Sequence, residues 1–275
     1  MSSFKYSIEH IAATVLTGTG NTSTEASTQH GTAHLLTNNK PLRTYNSSDD
    51  PNLTDVFVGF DLGVSGLDAI FLDNLNCSTV HIYKPTGGAP SPPTATGHWE
   101  LHSSYTASKD VRTGRYKLYI DFTSGTAFTD QYIKVFIPSG TVPVVAPLTS
   151  VAIGGVTFIG SSDQLNYPSG KSNNISYVIN RPTVNKKFMT GVIEHASIGE
   201  PTVSLTIPNV DYLIDSQHTT LLDILAHGEN LITFFENNGK TQEAYNMRIN
   251  PTQQQTLQYK VGKVVNTAVH LIEVL

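Results

Sequence analysis

Tyr116-Lys117-Leu118-Tyr119-Ile120-Asp121-Phe122 is the stretch that decides the fold class. On an extended chain Tyr116, Leu118, Ile120 and Phe122 share one side, and Lys117, Tyr119 and Asp121 share the other, because successive side chains of a strand point to opposite faces. Such alternation predicts a strand with one face buried. Residues 132–137, YIKVFI, repeat the pattern, with Ile133, Val135 and Ile137 set against Tyr132, Lys134 and Phe136. Working outward, DVFVGFDL (55–62), STVHIYK (78–84), GHWELHSSY (97–105) and VAIGGVTFIG (151–160) are further strand candidates. Turn-rich segments such as NSSDDPN, KPTGGAPSPPTATG and TSGTAFTD separate them. Many short strands at this spacing predict a sandwich or jelly roll.

Three breaks organise the rest. Residues 1–40 include GTGNTSTEASTQHGTAH, which is small, polar and without period. They read as an N-terminal arm, either mobile or ordered against a neighbouring chain. The loop 84–97 is too long and too rich in Pro and Gly for a hairpin turn, and reads either as a reach toward a neighbour or as a mobile surface loop. SSDQLNYPSGKSNN (161–174) marks a domain boundary, giving a β-sandwich over 41–162 and a C-terminal β-rich domain over 163–275.

Within that second domain, TVSLTI (202–207) alternates, and one short helix is expected near 217–227. Ser216 is placed to cap it, Leu221, Leu222, Ile224 and Leu225 form its apolar side, and Gly228 ends it. Asn238-Gly239 between two strand-like runs signals a hairpin, since a type I′ turn needs positive φ at both central residues. Val265, Thr267, Val269 and Leu271 alternate with polar or outward positions to the end, so the last residues read as a tied-down strand. The fold class is therefore mainly β, in two β domains, the second with one short helix.

Composition limits function. Charged residues make up 14% of the 275-residue chain and the net charge is −5. The share is below the roughly 25% usual for soluble domains, which suits a surface engaged with neighbours, since interface centres are depleted in charge. No clustered basic face supports nucleic-acid binding. The N-terminus, MSSFKYSIEHIAATV, lacks a continuous apolar run, so neither a secretion signal nor a membrane anchor is expected. The one cysteine, Cys77, makes no internal disulfide or thiolate metal site. It reads as a small buried residue of a chain made in a reducing cytoplasm.

No catalytic constellation emerges, and no cofactor or metal is expected. The G-x-S-x-G, H-E-x-x-H, P-loop and dinucleotide-binding patterns are absent. His98 and His102 are four apart, but on a strand that separation is about 13 Å, too far for one ion. Glu194 and His195 are adjacent and point to opposite faces of a strand. Asp211, Asp215 and Asp223 lack the loop spacing of a calcium site. Aromatic residues offer more. Trp99, Tyr105, Tyr116 and Tyr119 fall in one candidate sheet region, and aromatic rings there can plug the core, contact a subunit or carry a sugar. Trp99, Tyr105 and Tyr119 are the candidate contacts for a glycan or a partner.

Three stretches carry a resemblance. They are ASKDVRTGRYKLYIDFTSGTAFTDQYIKV (107–135), VAIGGVTFIG, and TTLLDILAHGENLITFFENN with the closing LIEVL. In this order they are similar to distal tail or baseplate-hub proteins of long-tailed bacteriophages. Arg115-Tyr116 with Ile120, Ile153-Gly154 with Gly160, and Glu273-Val274 occupy the matching positions over residues 50–275. The resemblance implies a galactose-binding-like β-sandwich first half. It also implies a three-fold or six-fold homo-oligomeric ring at the virion tail tip, made in the host cytoplasm and touching tail tube and hub or fibre proteins. It implies no catalytic residue, and the chain lacks the cysteine set of those tail-tip relatives that bind zinc or an iron–sulfur cluster. The alternative drawn from Trp99 and the sandwich pattern is a carbohydrate-binding module or adhesin for a host-surface glycan.

Overall fold

The structure, a computed structural model, describes residues 3–16, 45–46, 56–75, 77–87, 98–138, 152–153, 155–164, 176–187, 193–197, 201–207, 232–237, 242–250, 259–260, 263–264 and 268–274. Every regular element among them is a strand. The chain divides into two compact units. One takes in Ser7–Ser162 and Phe235–Ala244, the other Ser3–Tyr6, Asp163–Phe234 and Tyr245–Leu275. The expected helix near 217–227, the Asn238-Gly239 turn and residues 88–97 of the long loop lie outside the described residues.

Strands lying mainly in the first unit are β1 (Ser3–Ile11), β2 (Thr14–Val15), β3 (Tyr45–Asn46), β4 (Val56–Asp61), β5 (Ala69–Leu75), β6 (Thr79–Pro85), β7 (Trp99–Thr106), β8 (Ser108–Lys109), β9 (Tyr116–Asp121), β10 (Tyr132–Ile137), β11 (Ala152–Ile153) and β12 (Gly155–Gln164). One sheet runs β1-β12-β5-β9-β8 and a second runs β2-β4-β10-β6-β7. The core is shared between them. Ile70, Leu72, Leu118, Ile120, Val156 and Phe158 come from the first sheet, and Val58, Phe60, Val80, Ile82, Ile133, Val135 and Ile137 from the second. Phe60 and Phe158 meet edge to face, ring centroids 5.0 Å apart. Each such fully buried side chain contributes roughly 1.5–3 kcal/mol of transfer free energy. Two sheets closing on one apolar layer make this a β-sandwich. Cys77 is fully buried in that layer.

Two expectations change. The first sixteen residues of the stretch read as an arm contribute β1 and β2. The physical reason is packing: Tyr6 and Ser7 are buried, and the Ser7 hydroxyl donates to the Ser161 carbonyl of β12. Residues 17–40 lie outside the described residues. Strand β9 is not buried on one face alone. Leu118, Ile120 and Phe122 enter the core as expected, yet Lys117 and Tyr119 are also buried, because a second small cluster of Ala69, Phe71, Ile159, Phe235 and Ala244 surrounds Tyr119. Gly160 has a steric reason. A Cβ there would stand 3.3 Å from Ile11 Cγ1 and 3.7 Å from the Glu9 carbonyl oxygen.

Strands lying at least half in the second unit are β13 (Ser176–Asn180), β14 (Thr183–Lys187), β15 (Ile193–Ser197), β16 (Thr202–Ile207), β17 (Ile232–Asn237), β18 (Gln242–Ile249), β19 (Tyr259–Lys260), β20 (Lys263–Val264) and β21 (Val269–Glu273). The main sheet order is β13-β16-β21-β18-β17. Val203, Leu205 and Ile207 are buried with half-buried residues between them, as the alternation of TVSLTI requires. Leu205 faces Leu271 across the ladder. The Glu273 carboxylate accepts a hydrogen bond from the Val203 N–H at 2.8 Å, which fastens the last strand. A buried Thr233 hydroxyl donates to Asn246 Oδ1 at 2.7 Å.

Candidate functional site

The hairpin β8–β9 sets up the site. Lys109 faces Tyr116 and Ser108 faces Lys117, and the Asp110 N–H donates to the Arg115 carbonyl at 2.7 Å. Asp110 anchors the turn: its carboxylate accepts from the Arg112 N–H at 2.8 Å and Nε at 3.1 Å, and the Lys117 ammonium stands 3.6 Å away. Burial works against the charged Asp110 carboxyl, but Lys117 and Arg112 outweigh it and hold the group below its ordinary value.

The ladder then stops. Continued, the same register would set Thr106 opposite Tyr119 and Ser104 opposite Asp121. Instead the Ala107 N–H donates to the Ser78 carbonyl at 2.9 Å, and β7 pairs with β6 in the other sheet. The chain thus leaves one sheet for the other at Ala107, and β7 and β9 diverge like the arms of a fork. Between the arms lies a pocket of about 310 Å³, lined by Ser104, Tyr105, Thr106, Leu118, Tyr119, Ile120, Asp121, Ser124 and Phe235.

Ladder parity fixes where the main-chain groups of both arms point. In an antiparallel pair, alternate residues turn their N–H and C=O toward the partner and the others turn them away. The Phe122 N–H donates to the Asp68 carbonyl at 2.8 Å, so Phe122, Ile120 and Leu118 face β5, whereas Tyr119 and Asp121 face the fork. On the other arm Ala107 and Tyr105 face β6, and Thr106 and Ser104 face away from it. Both β7 and the β8–β9 edge are terminal in their sheets. Parity therefore turns peptide groups of both walls toward the fork, where the Asp121 carbonyl is engaged by the Ser124 hydroxyl.

Side chains complete the lining. The Tyr119 ring stacks on Phe235, centroids 3.9 Å apart and planes 11° from parallel. Burial, with the carboxylates of Asp121 and Asp68, pushes its phenol well above the ordinary value, so it stays neutral and able to donate. Asp121 Oδ1 accepts from the Thr123 N–H at 3.0 Å and hydroxyl at 2.6 Å. The Ser124 hydroxyl donates to the Asp121 carbonyl at 3.4 Å. Tyr105 is half-buried and packs against the sandwich core.

The structure thus brings two of the three candidate contacts, Tyr105 and Tyr119, to one pocket and places Trp99 elsewhere. Trp99 is 6% exposed, with the Lys134 ammonium 5.3 Å from its ring centroid. The same ammonium lies 4.5 Å from the Tyr83 ring and 5.8 Å from the Phe136 ring. This cluster belongs to the sheet face opposite Ile133 and Val135, and burial lowers the Lys134 pKa to about 8. Little of the Trp99 face is left for a ligand. The His102 ring packs edge-on against Phe122 at 5.5 Å, with Nε2 3.4 Å from the Ala127 carbonyl oxygen. Glu194 and His195 are successive residues of β15. Among the described residues no cluster of His, Cys, Asp or Glu could hold a metal ion, and no helix is long and apolar enough to cross a membrane. Asp211, Asp215 and Asp223 lie outside the described residues.

No protein-family model and no curated protein matches this chain. Among solved structures, similarity extends to SpGH29, with 16% identity and a TM-score of 0.36 over 56% of this chain and 28% of that one. The C-terminal domain of a chitobiase from Bacteroides fragilis is 16% identical with a TM-score of 0.34, over 57% of this chain and 95% of that one. The family 32 CBM of NanJ from C. perfringens, in complex with galactose, is 9% identical with a TM-score of 0.39, over 57% of this chain and 99% of that one.

Proposed function

We propose that this chain is a non-catalytic carbohydrate-binding protein and that its β-sandwich takes a sugar in the fork between β7 and β9. One observation carries the reading. One pocket of about 310 Å³ gathers Tyr105 and Tyr119, the hydroxyl-bearing Ser104, Thr106 and Ser124, and Asp121. That size lies at the lower end of the range for small-molecule pockets and suits one sugar ring. Serine and threonine hydroxyls match sugar hydroxyls, the neutral Tyr119 phenol can donate to one, and the half-buried Tyr105 ring matches an apolar C–H face. The reading is non-catalytic because glycoside hydrolysis uses a pair of carboxyl groups across the scissile bond, whereas one, Asp121, lines this pocket.

A glycan array probed with wild type and with Ser104→Tyr tests it. Wild type should retain glycans, and the variant, whose ring fills the fork, should lose at least tenfold in signal while keeping the wild-type circular dichroism. No retention by wild type, or equal retention by both, would contradict the proposal.

A second reading is assembly, in the form of the tail-tip ring that the sequence resemblance implies. What favours it is β13, terminal in its sheet, with Val178 and Ile179 each about half exposed and no charge between Ser176 and Asn180. Unprotected apolar edges of this kind are templates for strand pairing between chains. The ring, its tube and hub neighbours and a location in the virion belong to this reading. Light scattering of the purified chain should give a three-fold or six-fold mass, and a strictly monomeric mass at all concentrations would remove it.

A further inference from the structure

We infer that the Tyr119 hydroxyl is the specificity-determining donor of the fork, and that it selects neutral sugars over acidic ones. The inference rests on the sugar-binding reading above and adds the residue that reads the ligand and the charge class it takes. Tyr119 lines the pocket, yet it is only 5% exposed. Its ring is held by the stack on Phe235 and by Ala69, Phe71, Ile159 and Ala244 around it. Its hydroxyl makes no hydrogen bond among the described residues. A buried phenol ordinarily finds a partner. Here the pocket leaves the partner's place to a ligand, and a sugar oxygen is an acceptor of the required kind.

Charge decides between ligand classes. The ionisable groups that act on Tyr119 are the Asp121 and Asp68 carboxylates, and with burial they push its phenol well above the ordinary value. Negative charge is therefore disfavoured at the phenol oxygen. Asp68 is held by neutral donors, the Ser162 N–H at 2.9 Å and hydroxyl at 3.2 Å, which leave its charge in place. A ligand anion accepting from the Tyr119 hydroxyl would stand about 2.7 Å beyond it, in the same field and out of bulk water. Its hydrogen bond from the phenol would be strong, but carboxylate repulsion and desolvation oppose it. A hydroxyl or ring oxygen of a neutral sugar takes the hydrogen bond without that cost. Among the described residues no Lys, Arg or His lines the pocket to offset it.

Calorimetric titration of the full chain at pH 7 tests this with matched pairs: glucose and glucuronate, galactose and galacturonate, mannose and mannuronate. In a pair that binds, the neutral sugar should bind about tenfold or more tightly than its acid. Tyr119→Phe, which keeps the ring and its stack on Phe235, should weaken the neutral sugar roughly three- to tenfold, the worth of one hydrogen bond. It should not lower the thermal midpoint, because the hydroxyl has no partner in the fold to lose. Equal or tighter binding of the acid would overturn the charge selection while leaving the sugar reading intact. Unchanged binding in Tyr119→Phe, or a midpoint lowered by several degrees, would overturn Tyr119 as the reading donor. No binding of any of these sugars to wild type would overturn this inference, and the glycan array then decides the sugar reading separately.

Discussion

Lys134 sits between two core residues of β10 and turns its ammonium toward Tyr83, Trp99 and Phe136. Burial lowers its pKa to about 8 from the ordinary 10.5. Between those values the unfolded chain binds more protons than the folded one, so this group makes stability rise with pH. The cost of burying the ammonium is fully present below pH 8 and is released as pH climbs toward 10.5, while the ring faces offset part of it. Comparing urea midpoints of wild type and Lys134→Met should therefore show wild type gaining about 1 kcal/mol on the variant between pH 7 and pH 10. A difference independent of pH would mean the ammonium is not desolvated. Trp99 was legible as either core or platform. The choice depended on Lys134, whose place beside Trp99 follows from the β10–β6–β7 order and not from any neighbouring residue in the sequence.

At the scale of elements, the alternation of YKLYIDF and YIKVFI was enough to identify β9 and β10 and their core sides. Burial of the second face of β9 was not legible, because Phe235 and Ala244 come from far along the chain. The fork was equally hidden. It arises where one run of residues, 99–109, switches partner strands at Ala107, and neither composition nor periodicity marks such a switch. The hairpin turn that precedes the fork depends on charge. Asp110→Ala would leave the buried Lys117 ammonium, 3.6 Å from that carboxylate, without its counter-charge. Breaking a buried pair this way costs about 3 kcal/mol, and chemical denaturation at pH 7 should register it. The depressed Asp110 carboxyl adds a pH signature: its stabilisation is complete above the ordinary carboxylate value and is lost as pH falls through the lower folded value. The wild type should therefore approach the variant in stability as the solution is acidified toward pH 2, and a constant gap would contradict the ion-pair account.

For the whole molecule, the mainly β character and the two-sheet core of the first unit were readable from many short alternating runs. The fine division was harder. The units recombine distant segments, with Phe235–Ala244 in the first and Ser3–Tyr6 in the second, and a boundary drawn along the sequence cannot express that. The functional reading shifts accordingly from a surface around Trp99 to a pocket made where two sheets part. That claim is tested most directly by amide chemical shifts of the isotope-labelled full chain during titration with the sugar that the glycan array retains. Saturable shifts are expected at Thr106, Tyr119 and Ser104, with Trp99 unmoved. Shifts centred on Trp99 and Lys134, or none at the fork at saturating sugar, would contradict it.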